Sequence, residues 1–573
     1  MKKIPKTTNA TGQRDDARFF VIALVGLVLY FWNLTGGDLL SDNALNSFMA
    51  LGWLDYLGGG QTTPIQWFGA IPWWANLSFH GLPPLVLAVQ HFFFSLLGPT
   101  VFAAKLPFAL AGFALIFVIY FIFKQFKSEE NALLAAALIA VSSFGIWASR
   151  AGYLEGIEVL FIALCFLFFL EYLKSGAQKH LLWWGIFAGL ALLSKYTALF
   201  LLPAAGAYLL LWRRDAFKKR AFWLALLCLL AVLSPLIVYN AYVYQTRGHF
   251  DAALSSMIGM HSEDFGQLAE RGISLRLAGN LKDIFKAISD TASAPLFATM
   301  VISLLYLVVK VVRKKGDPLE RFLFLNVFFL LAMFAVSGAG LRFLSIVVPF
   351  FSASAAIFLY DAAQFLKQKH AAAGFALWGL AFVIIAWEAV YAANTHFSNK
   401  PLAASTWFSS ASLRLENKGF NQLDAYLNEK AFPALPPLKR PATFEDVGSV
   451  DVSDVSNNSI VFFDEAVHWF SYSWYFQKYI YYKLPVVSLD NYIRALPEGT
   501  DPLTDMKRMN AKDAYYILSV NESVLDSVKK RNPDARKLGQ AFAKYLDANH
   551  FAADEIRDSQ GNIAFRAYHI TFN

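Results

Sequence analysis

PPLVLAVQHFFFSLLG, residues 83–98, is apolar but short, and it opens on two prolines. An α-helix needs about 20 apolar residues to cross a bilayer. The stretch therefore reads as a juxtamembrane or re-entrant helix, and the sidedness of the rest of the chain follows from that choice. Candidate spans lie at 19–35, 101–123, 131–149, 156–173, 181–195, 197–212, 221–243, 294–312, 321–337, 342–360 and 372–393. With 83–98 left out, the connections KQFKSEEN, KSGAQKH, RRDAFKKR, KVVRKKGDPLER and LKQKH share one side, and all are basic. Short basic connections stay in the cytoplasm. RAGYLEG, the KY of LLSKYT, the long loop from Tyr244 to Ser293 and GAGLR alternate with them on the outer side. Counting 83–98 as a crossing would put the basic loops outside.

Composition agrees with a chain made for lipid. Of its 573 residues, 57% are hydrophobic and only 16% charged, where soluble domains carry about a quarter. The 54 Phe and 15 Trp residues suit lipid-facing surfaces and interfacial belts. The net charge of +8 comes from clusters between apolar runs, so it reports topology and not a nucleic-acid partner. Cys165 and Cys228 each sit inside an apolar run, which excludes a disulfide framework. The basic N-terminus leads into the first apolar segment with no A-x-A-like cleavage site, so an uncleaved span with a cytoplasmic N-terminus is expected.

The expected organisation is a multi-span α-helical membrane protein with about 11 spans plus juxtamembrane helices, ending in a C-terminal soluble α/β domain. Residues 1–18 form the cytoplasmic N-terminus. Residues 19–396 form the transmembrane domain, with outer loops 36–100 and 244–293, and 397–573 form an extracytoplasmic α/β domain. In that last part SIVFFDEA, LPVVSLDNY, DAYYILSV and the pair around RDSQGNIAF read as strands, and GFNQLDAYLNEK and 522–550 read as helices.

Ionisable side chains within spans are costly and mark function by default. Here Lys105, Arg150, Glu155, Glu158, Lys195, Arg342 and Glu388 all fall at outer span ends, and mid-depth positions are nearly free of charge. A transporter would want charge or broken helices at mid-depth, so chemistry at the outer face is favoured over transport. Arg150, Lys195 and Arg342 lie in short outer connections, against the positive-inside rule. Together they suit a phosphate site, with guanidinium forks and an ammonium on anionic oxygens. Singly, each could snorkel to headgroups or pair with a glutamate. After the first span, GGDLLSDNALNSF (36–48) places Asp38 and Asp42 where the chain leaves the bilayer. Leu45, Met49 and Trp53 then recur at i+4, which predicts an interfacial helix. Asp42 is either its N-cap, a role Ser41 could also fill, or a general base on an acceptor hydroxyl or amine. Glu155 would hold the acceptor or orient Asp42, or pair with Arg150.

These residues resemble the GT-C class of membrane glycosyltransferases, in particular the family 39 protein mannosyltransferases and the bacterial aminoarabinose transferases of lipid A. The likeness covers roughly residues 19 to 362. An acidic motif follows the first span (Asp42-Asn43), then comes a proline-led helix (83–98). An outer acidic position (Glu155), a Lys-Gly-like position (Lys195) and an Arg before a proline-containing span (Arg342) complete the series. The resemblance implies an outer-face, metal-optional, inverting transfer from a polyprenyl-phosphate sugar to a lipid, glycan or protein acceptor. It makes Asp42 and Glu155 the catalytic residues, and Arg150, Lys195 and Arg342 the donor-phosphate ligands. It also implies residence in the bacterial cytoplasmic membrane. No cofactor is required, and no metal ligands are assigned. Two departures stand out: Asn43 replaces the second acid, and Gly81-Leu82 replaces the Glu-Lys pair of the aminoarabinose branch. Asn43, His80, Lys105 and His261 are further candidates for substrate binding. The HSED segment at His261 has no firm metal-ligand spacing. The alternative from another class is a lipid or glycolipid transporter.

Overall fold

The computed structural model describes residues 10–52, 81–260, 276–402, 407–439, 458–467, 469–521 and 533–572. His80, His261 and Trp53 lie outside them. Two compact units divide the chain. The first holds Met1–Leu34, Leu82–Val86 and Lys105–Arg414; the second holds Thr35–Gly81, Leu87–Ala104 and Leu415–Asn573. The second unit thus draws on the 36–100 segment as well as on the C-terminal region.

The helices run α1 (Ala10–Phe31), α2 (Asp42–Gly52), α3 (Leu85–Leu97), α4 (Val101–Phe126), α5 (Glu129–Val141), α6 (Ser143–Ala151), α7 (Glu155–Ser175) and α8 (Gln178–Ser194). They continue with α9 (Leu201–Trp212), α10 (Arg220–Arg247), α11 (Ala252–Ile258), α12 (Leu277–Ser289), α13 (Ala294–Val312), α14 (Pro318–Ser337), α15 (Val347–Lys369) and α16 (Ala371–Phe397). Each expected span contains helix, although 131–149 is broken at Ser142 and 19–35 leaves its helix after Phe31. Among the described residues, seven helices are long and apolar enough to cross a membrane, and eight if the α5–α6 pair, bent by 51°, counts as one. This is a multi-pass membrane chain. The 83–98 stretch is a single helix of 13 residues, too short to cross by itself.

In the first unit the helix ends are set by local chemistry. At the α5–α6 bend, the Ser142 hydroxyl accepts from the Gly145 N–H, restarting the helix. Asp317 and Glu320 form a capping box at the start of α14. The basic connections find carboxylates there: Lys127 pairs with Asp317 (2.6 Å) and Glu320, and Lys310 with Glu320 (2.6 Å) and Asp361 (2.5 Å).

In the second unit five strands form one sheet: β1 (Ser459–Phe463), β2 (Val486–Ser488), β3 (Asp513–Ser519), β4 (Ala553–Arg557) and β5 (Ile563–Thr571), in the order β2-β1-β3-β5-β4. β1 pairs in parallel with β2 and β3, with Val461 opposite both Val486 and Tyr515. β5 is antiparallel to β3 and to β4. The strands fall where the alternating and apolar runs place them. Ile460, Phe462, Tyr516, Tyr568 and Ile570 fill one core with Phe542 and Leu546 of α17 (Pro533–Ala548).

Candidate functional site

The first unit brings three of the expected residues together. α6 closes at Gly152, whose φ of +79° favours glycine, and α7 then begins at Glu155. Glu155 therefore sits in the first turn of a helix, where the peptide dipoles favour a carboxylate. It is 1% exposed. α8 ends at Ser194, and Lys195 leaves the helix in an extended conformation. Its ammonium bonds the Glu155 carboxylate and lies 4.0 Å from the centroid of the Phe343 ring. The Arg342 guanidinium lies over the same ring at 4.8 Å. Arg342 is partly exposed, on a 3-10 turn (Leu341–Ile346) that follows Gly338 and Gly340. Two cations thus lie over one aromatic ring, and one of them is paired with a buried carboxylate.

Arg150 is different. It is 2% exposed, and both terminal nitrogens are spent on the chain that ends α1. Nη1 donates to the carbonyl of Trp32 (2.7 Å) and, at 3.3 Å, to those of Leu29 and Tyr30, while Nη2 donates to that of Asn33 (2.9 Å). The last carbonyls of a helix have no partner within it, and Arg150 supplies one. Arg150, expected among the phosphate ligands, spends these bonds on the end of α1 in the manner of a helix cap. The alternative pairing of Glu155 with Arg150 gives way to the Glu155–Lys195 pair.

In the second unit Asp42 is the first residue of α2 and is partly exposed. Asn43 is buried, its side-chain oxygen accepting the Ser41 N–H (2.9 Å) at the helix start. α2 is also not an interfacial helix with one wet face: Asn43 through Gly52 are all buried. Its polar side is satisfied internally, with Gln90 donating to Ser47 Oγ (2.9 Å) and Ser47 Oγ donating to the Asn43 carbonyl (2.6 Å). Lys105 is fully buried in α4. Among the described residues no group of three or more His, Cys, Asp or Glu side chains could hold a metal ion.

The chain can now be set beside known proteins. Residues 82–239 match the family model for dolichyl-phosphate-mannose-protein mannosyltransferases. The crystal structure of ArnT from Cupriavidus metallidurans bound to undecaprenyl phosphate matches with a TM-score of 0.51 at 13% identity, over 98% of each chain. The same protein in its apo state matches at 0.50 and 12%, again over 98% of each chain. The fold is that of the GT-C glycosyltransferases. No curated protein matches the chain in sequence.

On this GT-C fold several site neighbours escaped the sequence reading. Each residue of Lys195-Tyr196-Thr197 engages a different carboxylate: Lys195 bonds Glu155, the Tyr196 hydroxyl donates to Asp251, and the Thr197 hydroxyl donates to Glu158 (2.6 Å). Asp251 also accepts from Asn240 Nδ2 (2.8 Å) and caps α11 through the Leu254 N–H (2.9 Å). Glu388 of α16 accepts the backbone N–H of Ser143 (3.1 Å) and of Ser293 (2.8 Å), joining the starts of α6 and α13. A signal for the first group existed in the consecutive polar residues of KYT within an apolar region. Nothing local marks Asp251 or Ser293 as partners of residues tens of positions away.

Proposed function

We propose that this chain is a membrane glycosyltransferase that moves a sugar from a polyprenyl-phosphate carrier to an acceptor on the extracytoplasmic face, with inversion. The observation that carries the proposal is the pairing of Lys195 and Arg342 over Phe343, with Glu155 holding the ammonium in place. Two pre-placed cations neutralise the charge that builds on a departing phosphate, and they need no reorganisation at the moment of reaction. No nucleotide sugar is supplied outside the cytoplasm, so an activated sugar must arrive there on a lipid. A phosphate leaving group departs without a general acid, so one carboxylate suffices where a glycosidase uses two.

Asp42 serves as the base. Its carboxylate takes the proton from the acceptor hydroxyl or amine as that atom forms its bond to the anomeric carbon and the bond to the phosphate oxygen breaks. Glu155 keeps Lys195 oriented toward the phosphate. A divalent metal is optional in this reading, and no step is assigned to one. In the proposed setting, the bacterial cytoplasmic membrane, the N-terminus is cytoplasmic and the C-terminal domain extracytoplasmic.

The test uses the purified chain in vesicles with a labelled polyprenyl-phosphate sugar. Release of polyprenyl phosphate that depends on added acceptor is the expected result. Movement of the intact labelled lipid across the bilayer with no acceptor present, and no release, would instead make the chain a lipid transporter.

A further inference from the structure

The proposal above leaves the C-terminal domain without a task, yet the short segment leading to Asp42 is bonded to it at each residue from Thr35 to Leu39. All of these contacts lie inside the second unit. Asp38, 5% exposed, accepts the backbone N–H groups of Lys418 (2.6 Å), Phe420 (3.3 Å) and Asn421 (2.9 Å). Its own N–H donates to the Glu416 carbonyl (2.9 Å). Asn421 Nδ2 donates to the carbonyls of Thr35 (2.8 Å) and Gly37 (3.2 Å), and Asn417 Nδ2 to that of Gly36 (3.1 Å). The Leu39 N–H donates to the Tyr475 hydroxyl (2.9 Å), which itself donates to Asn421 Oδ1 (2.8 Å). Gly37 leaves no room for a side chain, since a Cβ there would stand 2.8 Å from that of Leu415.

The clamp is tied in turn to the sheet. The Phe420 ring stacks on Tyr475 (4.9 Å between centroids) and meets Phe565 of β5 edge-on at 5.0 Å. Beyond Asp42 the same domain holds α2, with Phe48 stacked on Tyr481 at 4.7 Å. A Cβ on Gly52 would stand 1.9 Å from that ring. Asp42 therefore lies between two anchored stretches of chain.

We infer that the C-terminal domain positions Asp42, through Asp38, Asn421 and Tyr475, and is part of the catalytic machinery rather than an appended module. The inference rests on the reading of Asp42 as base. A base on a loose outer segment would sample many positions. Placement errors of about 1 Å are enough to cost on the order of a hundredfold in rate. Asp38, Asn421 and Tyr475 touch no reacting atom; they are positioning residues.

The test compares Tyr475→Phe, Asp38→Asn and Asp42→Asn in the full chain. Tyr475→Phe removes one hydroxyl and with it the Leu39 and Asn421 bonds. It should lower kcat about ten- to a hundredfold, leave the KM for the polyprenyl-phosphate sugar and the melting temperature unchanged, and speed hydrogen exchange at Leu39–Ala44. Asp38→Asn should do the same more strongly. Where Asp38→Asn fails to fold, the tyrosine variant still decides. Wild-type kcat in Tyr475→Phe, with Asp42→Asn inactive, would overturn the positioning role and leave the base intact. An active Asp42→Asn would overturn both.

Discussion

Arg150 and Arg342 belong to the same unit, and both break the positive-inside rule in short connections. Their surroundings are opposite. Arg150 is buried among backbone carbonyls of the α1 terminus, whereas Arg342 is partly exposed over an aromatic ring that it shares with Lys195. A cation in an outer connection is thus not by itself a ligand. What separates the two is how far each side chain is buried and what lies against it. The same lesson separates Asp38 from Asp42, four residues apart: one is consumed by three backbone N–H groups, and the other opens a helix at a partly exposed position.

The contrast can be broken by substitution. Among the three cations the largest effect is expected at Lys195: Lys195→Gln should lower kcat/KM for the lipid-linked donor by roughly 10²–10³, the range for losing a pre-placed charge donor. Arg342→Ala should cost about ten- to a hundredfold in the same parameter with little change in folding. Arg150→Met should do the reverse. It leaves two buried and two part-buried carbonyl contacts unmet, so a stability loss of about 2–4 kcal/mol is expected, read as a lower melting temperature. Its kcat/KM per folded molecule should stay near wild type; a selective loss of donor affinity there would return Arg150 to the phosphate site.

A smaller effect probes the C-terminal domain alone. Burial lifts the Asp464 carboxyl to about 6, above an ordinary value of 3.8. The folded chain therefore holds that proton more tightly than the unfolded chain. This contribution to stability is complete below pH 3.8 and is lost as pH rises through 6. Asp464→Asn should melt a few degrees higher than wild type at pH 7.5, with the gap closing toward pH 4.

Much of the fold was legible because it depends on local length and pattern. Apolar runs near 20 residues became helices, the proline-led 83–98 stretch stayed short, and runs such as SIVFF and DAYYILS became strands of one sheet. The site was legible only in part. Asp42, Glu155, Lys195 and Arg342 stood out because charge at a span end is costly. The occupation of Arg150 by Leu29–Asn33, and of Asp38 by a segment some 380 residues later, has no local signature. Such pairings are decided by tertiary packing, as is the burial of α2 on all sides, where i+4 spacing suggested one wet face.

The central claim is that one carboxylate, Asp42, takes the acceptor's proton. Its most direct test is transfer by Asp42→Asn measured beside donor binding in the same preparation. Loss of turnover by about 10²–10⁴, the span attributed to a positioned general base, with unchanged affinity for the polyprenyl-phosphate sugar, is the predicted result. Turnover close to wild type in that variant would contradict the account.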